Sequence, residues 1–530
     1  MTVNSDQVPD RSYRKLGGPY AWYALVLLTL VQAFNFLDRQ IVSILAEDIK
    51  ADLAITDAQI GFLYGTAFAI FHIIFIIPVA RVADSWERRK LLSLSLGLWS
   101  MITALSGLTR NFTQLAIARV GVGIGETSVG PTCHSLIADY FPREVRATAM
   151  SIFVSGVSIG AGTGVVIGGL VVDGWKEAYP GGVGPFGIKA WQAAFFVVGI
   201  PGVLMSLLVY GLREPIRGLS EGRVADPPRE QPGRAFFQEF SWIIPPLSLV
   251  RLASIGSRPL AINLITLLCV CLFTGLAVTL SGDFAQWITL SVGVYIVFSW
   301  AQSLKFRDAP AFAVMFQTPS YVLTVGGFTL MALTRFSINF WIPTFFLRYH
   351  GVGIAELAVV FGTISIIAGA LGDIVGGLWA DRWRKTNFAG RLYVGVVATA
   401  LPIPIIIVML TTSNVELAYL LLAPIIFFGA LFTGPGASTV QDLVLPRMRG
   451  MGAAVLVLSL NLVGLGLGPY LVGRISDAVG DLRVAMIFAL LTSVLAAICL
   501  GFAARHLRED EESRFHRAEA AGEVSTASTP

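Results

Sequence analysis

Long apolar runs alternate with short polar segments along nearly the whole chain. Each run holds about 20 or more residues, which is enough for a helix to cross a hydrocarbon core of about 30 Å. The pattern predicts about fourteen membrane-spanning helices. Their predicted positions are 20–46, 58–83, 91–109, 112–139, 146–172, 190–212, 259–281, 284–304, 319–346, 355–380, 389–411, 415–440, 450–475 and 483–505.

Basic residues collect in every second connection between these predicted helices. Three of them precede the first helix, whereas the connection after it is acidic, with Glu47, Asp48, Asp52 and Asp57. Because Lys and Arg remain on the cytoplasmic side of a membrane, we expect both termini in the cytoplasm and the protein in the plasma (inner) membrane. No small-residue cleavage site follows the first apolar run, so this run is predicted to be a retained helix and not a signal peptide.

The chain repeats two polar motifs in the same order. Residues 80–89 (ARVADSWERR) follow the second predicted helix, and residues 377–385 (GLWADRWRK) occupy the equivalent place in the second half. Asp139 and Arg146 flank a proline with a spacing of seven residues, and Asp442 and Arg449 do the same. Two repeated pairs indicate a duplicated transporter. The alternative is that basic inner loops resemble one another by chance.

The repeat divides the chain into two halves of six helices with an insertion between them. The predicted segments are an N-terminal tail (1–19), a first bundle (20–212), a cytoplasmic linker (213–258), a helical hairpin (259–304), a connection (305–318), a second bundle (319–505) and a C-terminal tail (506–530). The hairpin turns at residues 281–283 and has no counterpart in the repeat. One amphipathic helix plus one span is the alternative, but it would invert the second half against its charges.

Composition supports a membrane protein and narrows its chemistry. The chain is 55% hydrophobic and 14% charged, whereas a soluble protein carries roughly 25% charged residues. The four cysteines lie in apolar segments and have neither a disulfide framework nor the spacing of a metal site. The loops contain no nucleotide-binding motif and no nucleophile–base arrangement, so we expect no enzyme activity, cofactor, metal or nucleic-acid partner. A transporter-like sensor or membrane-embedded enzyme is the alternative from another class.

The motif at residues 80–89 resembles the signature G-x-x-x-D-R-x-G-R-[RK] of the major facilitator superfamily. Asp84, Arg88 and Arg89 match it, whereas Ala80, Ser85 and Glu87 replace its first Gly, its Arg and its second Gly. Residues 35–39 (NFLDR) and 119–126 (RVGVGIGE) look most like the Spinster family, which is associated with export of sphingoid phosphates and lysophospholipids. The resemblance implies an all-α major facilitator fold of two six-helix bundles, extended here by the inserted hairpin.

The resemblance also implies an inner gate that locks the two halves together. Asp84 would pair across the inner face, with Arg146 as its expected partner. The predicted gate residues are Asp84, Arg88, Arg89, Arg146, Asp381 and Arg382. The alternative is that these charges only set the topology. The resemblance further implies that the fifth and eleventh helices of the two bundles pack against the other half. Small residues let helices approach closely, and these two helices carry glycines at a four-residue spacing: Gly156, Gly160, Gly164 and Gly168, echoed by Gly464 and Gly468.

Ionisable residues inside the predicted helices are candidates for the transport site, since each costs on the order of 2.5–3.5 kcal/mol to insert. Asp38 and Arg39 lie near the middle of the first helix, and Arg119 and Glu126 lie two turns apart on the fourth. We expect Arg119 to reach Asp38 and to leave Glu126 partly unpaired. Asp38 and Glu126 are therefore the predicted proton-coupling residues. A static ion-pair network that only fixes helix packing is the alternative.

The predicted substrate-binding residues are Asn35, Arg39, Arg119, Arg335 and Asn339. Arg39 and Arg335, one from each half, would hold an anionic head group through charge-assisted hydrogen bonds. We expect a monomeric, alternating-access secondary transporter, surrounded by membrane lipid and coupled to protons. Its substrate would be a small amphipathic anion such as a lysophospholipid or sphingoid phosphate. Neighbouring families with a similar Asp-Arg pair leave a soluble organic anion, such as a sugar acid, as the alternative.

Overall fold

The computed structural model describes residues 16–217, 231–445 and 448–523. Within these ranges the chain is built from helices, and its only β-type pairing is an isolated bridge between Val183 and Lys189. Parts of the predicted tails (1–15 and 524–530), of the predicted linker (218–230) and of the second repeat motif (446–447) lie outside the described residues. The all-α fold class is confirmed.

The first half contains six helices. They are α1 (Pro19–Ile44), α2 (Asp57–Ser85), α3 (Arg88–Ser106), α4 (Phe112–Gly125 continuing into Val129–Tyr140), α5 (Arg143–Ala178) and α6 (Ala190–Tyr210). Local sequence sets several of their starts. Pro19 opens α1, and Thr56 forms a capping box with Gln59 at the start of α2. The Asn111 side chain accepts a hydrogen bond from the backbone of Gln114 at the start of α4.

The hairpin and the second half supply the other long helices. The hairpin comprises α7 (Ser257–Ser281) and α8 (Phe284–Arg307). The second half comprises α9 (Pro319–His350), α10 (Ile354–Thr386), α11 (Gly390–Thr411), α12 (Val415–Asp442), α13 (Met451–Val479) and α14 (Leu482–Glu512). Among the described residues, twelve of these helices are long and apolar enough to cross a membrane. Helices α3 and α4 lie at predicted positions without reaching the same length and hydropathy, so the count of fourteen stays a prediction.

Helix α5 packs against α10 of the second half, as expected, but its glycine ladder lies on the opposite face and packs on α1 within the first half. A Cβ atom on Gly160 would lie 2.0 Å from the carbonyl oxygen of Ala33 in α1, and the other ladder glycines meet the same helix. Gly162 instead meets the second half, since its Cβ would lie 2.4 Å from the carbonyl oxygen of Gly362 in α10. Two residues along a helix are about 200° apart, which puts Gly160 and Gly162 on opposite faces.

A second seam between the halves runs along α2 and α13. A Cβ on Gly65 would lie 2.3 Å from the carbonyl oxygen of Leu465, and one on Gly473 would lie 2.3 Å from that of Asp57. Helix α2 is interrupted at Gly65, where one helical segment (Asp57–Tyr64) ends and the next (Thr66–Ser85) begins. Small residues allow this close approach of two helix backbones in a membrane.

The inserted hairpin docks on this second seam. Its two helices turn at Gly282, whose φ of 79° suits glycine, and Asn263 joins them through a hydrogen bond of 2.7 Å to Gln302. Gln286 of α8 accepts a hydrogen bond of 2.6 Å from Thr66 in the first half. Asp283 accepts one of 2.7 Å from Tyr470 in the second half. The hairpin therefore contacts both halves.

Candidate functional site

Four charged side chains meet between α1 and α4 of the first half. Asp38, Arg119 and Glu126 are buried, with at most 1% of each residue exposed. Arg39 Nε donates to Glu126 Oε2 at 2.7 Å. Glu126 thus has Arg39 as a partner, which the expected pairing did not include. Adjacent residues on a helix point about 100° apart, so Arg39 faces Glu126 while Asp38 turns toward α3.

The side chains of Asp38 and Arg119 make longer hydrogen bonds than the Arg39–Glu126 pair. Asp38 Oδ2 accepts from Thr103 Oγ1 at 3.2 Å, and Arg119 Nη1 reaches only the backbone oxygen of Asp38 at 3.4 Å. Among the described residues, no hydrogen-bond partner is found for Asp38 Oδ1, Glu126 Oε1, or Nε and Nη2 of Arg119. An unsatisfied buried polar atom costs about 1–3 kcal/mol. Several buried atoms of charged side chains around Asp38 and Glu126 therefore lack a hydrogen-bond partner.

Helix α4 changes its geometry at Glu126. Residues Glu126–Ser128 form a 3₁₀ turn between the two α-helical segments. Gly123 and Gly125 precede the turn, and a Cβ on either would lie within 2.6 Å of a neighbouring helix. A 3₁₀ stretch inside a long helix often marks a functional hinge. Sequence reasoning missed this break, although three glycines in alternate positions just before Glu126 were a signal for it.

Arg39 also rests on two aromatic rings. Its guanidinium carbon lies 4.4 Å from the ring centroid of Phe68 and 4.9 Å from that of Phe36. Asn35 lies one helical turn before Arg39 on α1 and beside Glu126. The side chain of Arg39 keeps 16% of its surface exposed, whereas that of Glu126 is fully buried. Arg39 is therefore the member of this pair that a ligand can reach.

The second half contributes a cavity around Arg335 and Asn339 of α9. Its empty volume is about 530 Å³, including the open mouth, and isoleucines of α9, α11 and α12 contribute to its wall. The guanidinium of Arg335 lies 5.2 Å from the ring centroid of Phe432 and interacts electrostatically with Asp373 of α10. The structure therefore places the two predicted residues of this half together in one largely apolar cavity.

Tyr64 of α2 connects the charged groups of the two halves, and sequence reasoning missed it. Its ring stacks on Phe340 of α9 at a centroid distance of 4.3 Å, and its hydroxyl donates to Gln40 at 3.3 Å. It lies within electrostatic reach of Arg39, Arg119 and Arg335. No sequence signal distinguishes this tyrosine from other aromatic residues in the apolar runs.

Ionic contacts join the halves at the end of the bundle opposite the termini. Arg348 of α9 donates to Asp57 Oδ2 at 2.8 Å and to Glu47 Oε1 at 2.7 Å. Asp477 of α13 accepts from the backbone nitrogens of Asp57 and Ala58 at 3.0 and 2.8 Å. The sequence showed the acidic connection but not its basic partner. This end of the bundle is closed.

The predicted gate residues of the first half pair within that half. Arg88 is buried and binds Asp139 at 2.6 Å and Glu214 at 2.7 Å. Arg89 binds Glu87 at 3.3 Å. Asp84 is exposed, and Arg217, not the expected Arg146, is the arginine beside it. Arg217 donates to the backbone oxygens of residues 83, 84 and 86. Arg146 is half-buried near the start of α5.

In the second half, Asp381 is paired with Arg391 at 2.7 Å, and Arg382 is exposed. Arg384 binds Asp442 at 3.3 Å and Glu511 at 2.8 Å. All of these pairs lie within one half. In the described part of the chain, the pairs of Arg88, Arg89 and Asp381 therefore do not join the two halves in this conformation.

Comparison with known proteins places this architecture in a family. Residues 28–469 and 324–527 match the model of the Major Facilitator Superfamily. An MFS-type efflux pump from Mycolicibacterium smegmatis is 24% identical over 518 residues, covering 95% of this chain and 98% of that protein. Protein spinster homolog 1 of Xenopus tropicalis is 24% identical over 474 residues, covering 86% and 73%.

Two further similarities are more limited. The probable L-galactonate transporter of Escherichia coli is 27% identical over 196 residues, or 36% of this chain and 40% of that protein. A bacterial homologue of the human lysosomal transporter Spinster, solved inward-facing and occupied, has a TM-score of 0.64 at 22% identity, covering 96% and 100%. That structure supports the fold. The chain belongs to the Major Facilitator Superfamily and is a multi-pass membrane transporter that is similar in sequence to Spinster proteins.

Proposed function

We propose that this protein is a proton-coupled secondary transporter of an amphipathic anion with a phosphate-like head group, such as a lysophospholipid or sphingoid phosphate. The observation that carries the proposal is the buried Arg39–Glu126 pair, whose arginine is partly exposed. Asp38 adds a second buried acid beside it, and Arg335 lies in the apolar cavity of the other half.

The Arg39–Glu126 pair links the anion to the proton. Removing one partner of a buried ion pair costs about 3–5 kcal/mol, because the other charge is left uncompensated. An anionic head group that takes Arg39 from Glu126 therefore favours protonation of Glu126. Proton and anion then bind cooperatively, and the loaded site keeps the net charge of the empty one. This reasoning favours carriage of proton and anion in the same direction.

The second half suits the apolar part of such a substrate. The cavity beside Arg335 is walled by Ile338, Ile403 and Ile406, with Asn339 at its polar side. Burying apolar area is worth about 25 cal/mol per Å², so an acyl or sphingoid chain would gain affinity there. Arg39 and Arg335 would hold the head group from the two sides.

The charge pattern supports an orientation with both termini in the cytoplasm, in the plasma membrane. The end closed by Arg348 and Asp57 is then the outer end. Substrate would enter from the inner end in this conformation, and the gate residues Asp84, Arg88, Arg89, Arg146, Asp381 and Arg382 would close that end in the opposite one. We propose that the monomer is the transport unit.

A soluble organic anion is the second candidate substrate. The partial similarity to a protein described as a probable L-galactonate transporter favours it, and the hydroxyls of Thr334, Thr399 and Ser493 line the same cavity as Arg335. Equilibrium binding of a lysophospholipid and of a hexuronate to the purified protein separates the two. We expect the lysophospholipid to bind and to lose roughly tenfold or more in affinity on Arg39→Ala, since a hydrogen bond to a charged group is worth about 1.5–3 kcal/mol. Selective hexuronate binding would refute the amphipathic substrate.

A further inference from the structure

A second cavity, separate from the transport site, lies where the hairpin meets the linker and both halves. Its empty volume is about 230 Å³, including the open mouth. Its wall is apolar and comes from four elements, with Ile73 and Ile77 of α2, Leu458 of α13, Ile296 and Trp300 of α8, and Ile243 of the linker helix Pro232–Ile243. This lining suits an apolar group in the mouth of the cavity and does not favour a polar one.

Two arginines converge beside this cavity on one tryptophan ring. Trp242 is the chain neighbour of the cavity residue Ile243. The guanidinium carbon of Arg251, from the linker helix Leu247–Ile255, lies 4.4 Å from the ring centroid of Trp242, and that of Arg307, the last residue of α8, lies 5.0 Å from it. Arg307 is seven residues after Trp300, so the two lie on one face of α8, two turns apart. The two guanidinium groups therefore lie beside the apolar cavity, toward the end of the bundle where the chain termini are.

Among the described residues, neither guanidinium lies in an ion pair. The acids nearest to Arg251 and Arg307 in sequence are Glu239 and Asp308. The carboxylate of Asp308 accepts a hydrogen bond from the backbone of Ala311 at 3.0 Å. Two cations held on one ring without an acid repel each other. A phosphate beside them would attract both guanidinium groups and offset their mutual repulsion.

We propose that this cavity and its two arginines form a binding site for an anionic membrane phospholipid. Part of one acyl chain lies in the mouth of the cavity against its apolar wall, and the phosphate lies against Arg251 and Arg307. With the termini in the cytoplasm, as proposed above, the arginines lie at the level of the cytoplasmic head groups, where Trp is favoured and anionic lipids attract basic residues. The lipid would touch α2 and α13, which belong to opposite halves, and so stabilise their seam.

Binding of phosphatidylglycerol and phosphatidylcholine with identical chains to the full-length protein, followed by native mass spectrometry, tests the site. We expect phosphatidylglycerol to bind at least fivefold more tightly. Arg251→Ala and Arg307→Ala should each weaken it roughly fivefold, at about 1 kcal/mol per basic residue near the membrane surface, and Arg251→Lys should retain most of the affinity. Arg258→Ala, which removes an exposed arginine from α7, is the matched control and should change nothing.

Three outcomes would overturn the proposal. Equal affinity for phosphatidylglycerol and phosphatidylcholine would exclude recognition of the head-group charge. A loss of affinity in Arg258→Ala as large as in Arg251→Ala would show a general effect of surface charge. Displacement of the lipid by glycerol 3-phosphate at similar affinity would identify a site for free phosphate esters. Filling the cavity with Ile296→Phe tests the chain-binding part, since it should weaken phosphatidylglycerol while glycerol 3-phosphate is unaffected. Arg39→Ala should leave this lipid in place, which distinguishes the site from the proposed transport site.

Discussion

Replacing Glu126 by glutamine should uncouple transport from protons while strengthening binding of the anion. The native carboxylate lies 2.7 Å from Arg39 Nε. The amide that replaces it keeps the shape of the protonated acid but can neither ionise nor neutralise Arg39. Its carbonyl oxygen can still accept from Arg39, but the guanidinium loses its charged partner and keeps the Phe68 and Phe36 rings, which supply about 0.5–2 kcal/mol. An incoming anion no longer competes with the Glu126 carboxylate for Arg39. Its binding free energy therefore improves by roughly 1.5–3 kcal/mol, or about ten- to hundredfold in affinity.

Uptake into proteoliposomes with and without an imposed pH gradient, alongside equilibrium binding at several pH values, measures both effects. The Glu126→Gln protein should bind substrate tightly, lose the pH dependence of binding and fail to accumulate substrate on a pH gradient. Asp510→Asn is the matched control, because Asp510 is also a buried acid paired with an arginine, Arg517, but lies outside the cavity. Full gradient-driven accumulation by Glu126→Gln would exclude coupling through this residue and leave the network with a static packing role.

Three further substitutions test the connections between the halves. Arg348→Ala removes both carboxylate contacts at the closed end, so the fraction with this end open should rise at least tenfold, measured by spin-label distances between α2 and α13; an unchanged distance distribution would contradict this. Tyr64→Phe keeps the stack on Phe340 but loses the hydroxyl, so thermal stability should change little while the transport rate falls; equal rates would leave Tyr64 a packing residue. Gln286→Leu removes the contact with Thr66 and should lower the free energy of unfolding by about 1 kcal/mol, and an unchanged midpoint would mean that the hairpin docks through its apolar surface alone.

The sequence predicted the parts of this structure that depend on single elements. Apolar runs of sufficient length located the helices, and the cost of burying charge pointed to Asp38, Arg39, Arg119, Glu126 and Arg335. Pairing was predicted less well. Spacing along one helix shows which residues share a face, but the partner across a helix contact depends on rotation of both helices. A rotation of about 100° separates Arg39 from Asp38, and it decided which of them meets Glu126.

The same limit explains the glycine ladder and Tyr64. Gly160 and Gly162 are equally small, and only the observed packing shows that one meets α1 and the other α10. The stack of Tyr64 on Phe340 joins residues that are 276 positions apart in the sequence. Contacts of this kind have no local signature. The hairpin was visible as an unmatched pair of apolar runs, but its position on the α2–α13 seam required the structure.

We infer that, under the proposed function, helix α2 is the element through which the site and the closed end influence each other. Its first segment, Asp57–Tyr64, has eight residues and is therefore about 12 Å long. Asp57 at one end binds Arg348, while Tyr64 at the other lies beside the arginines of both halves. The break at Gly65 separates this segment from the remainder of α2. A change of charge at Arg39 or Glu126 can thus move Tyr64, and a rigid segment of two turns carries that movement to the Asp57–Arg348 contact. Because the same segment packs on α13, it can open the far end only by separating from the second half. Loading of the site and opening of the closed end are then two consequences of one helix movement.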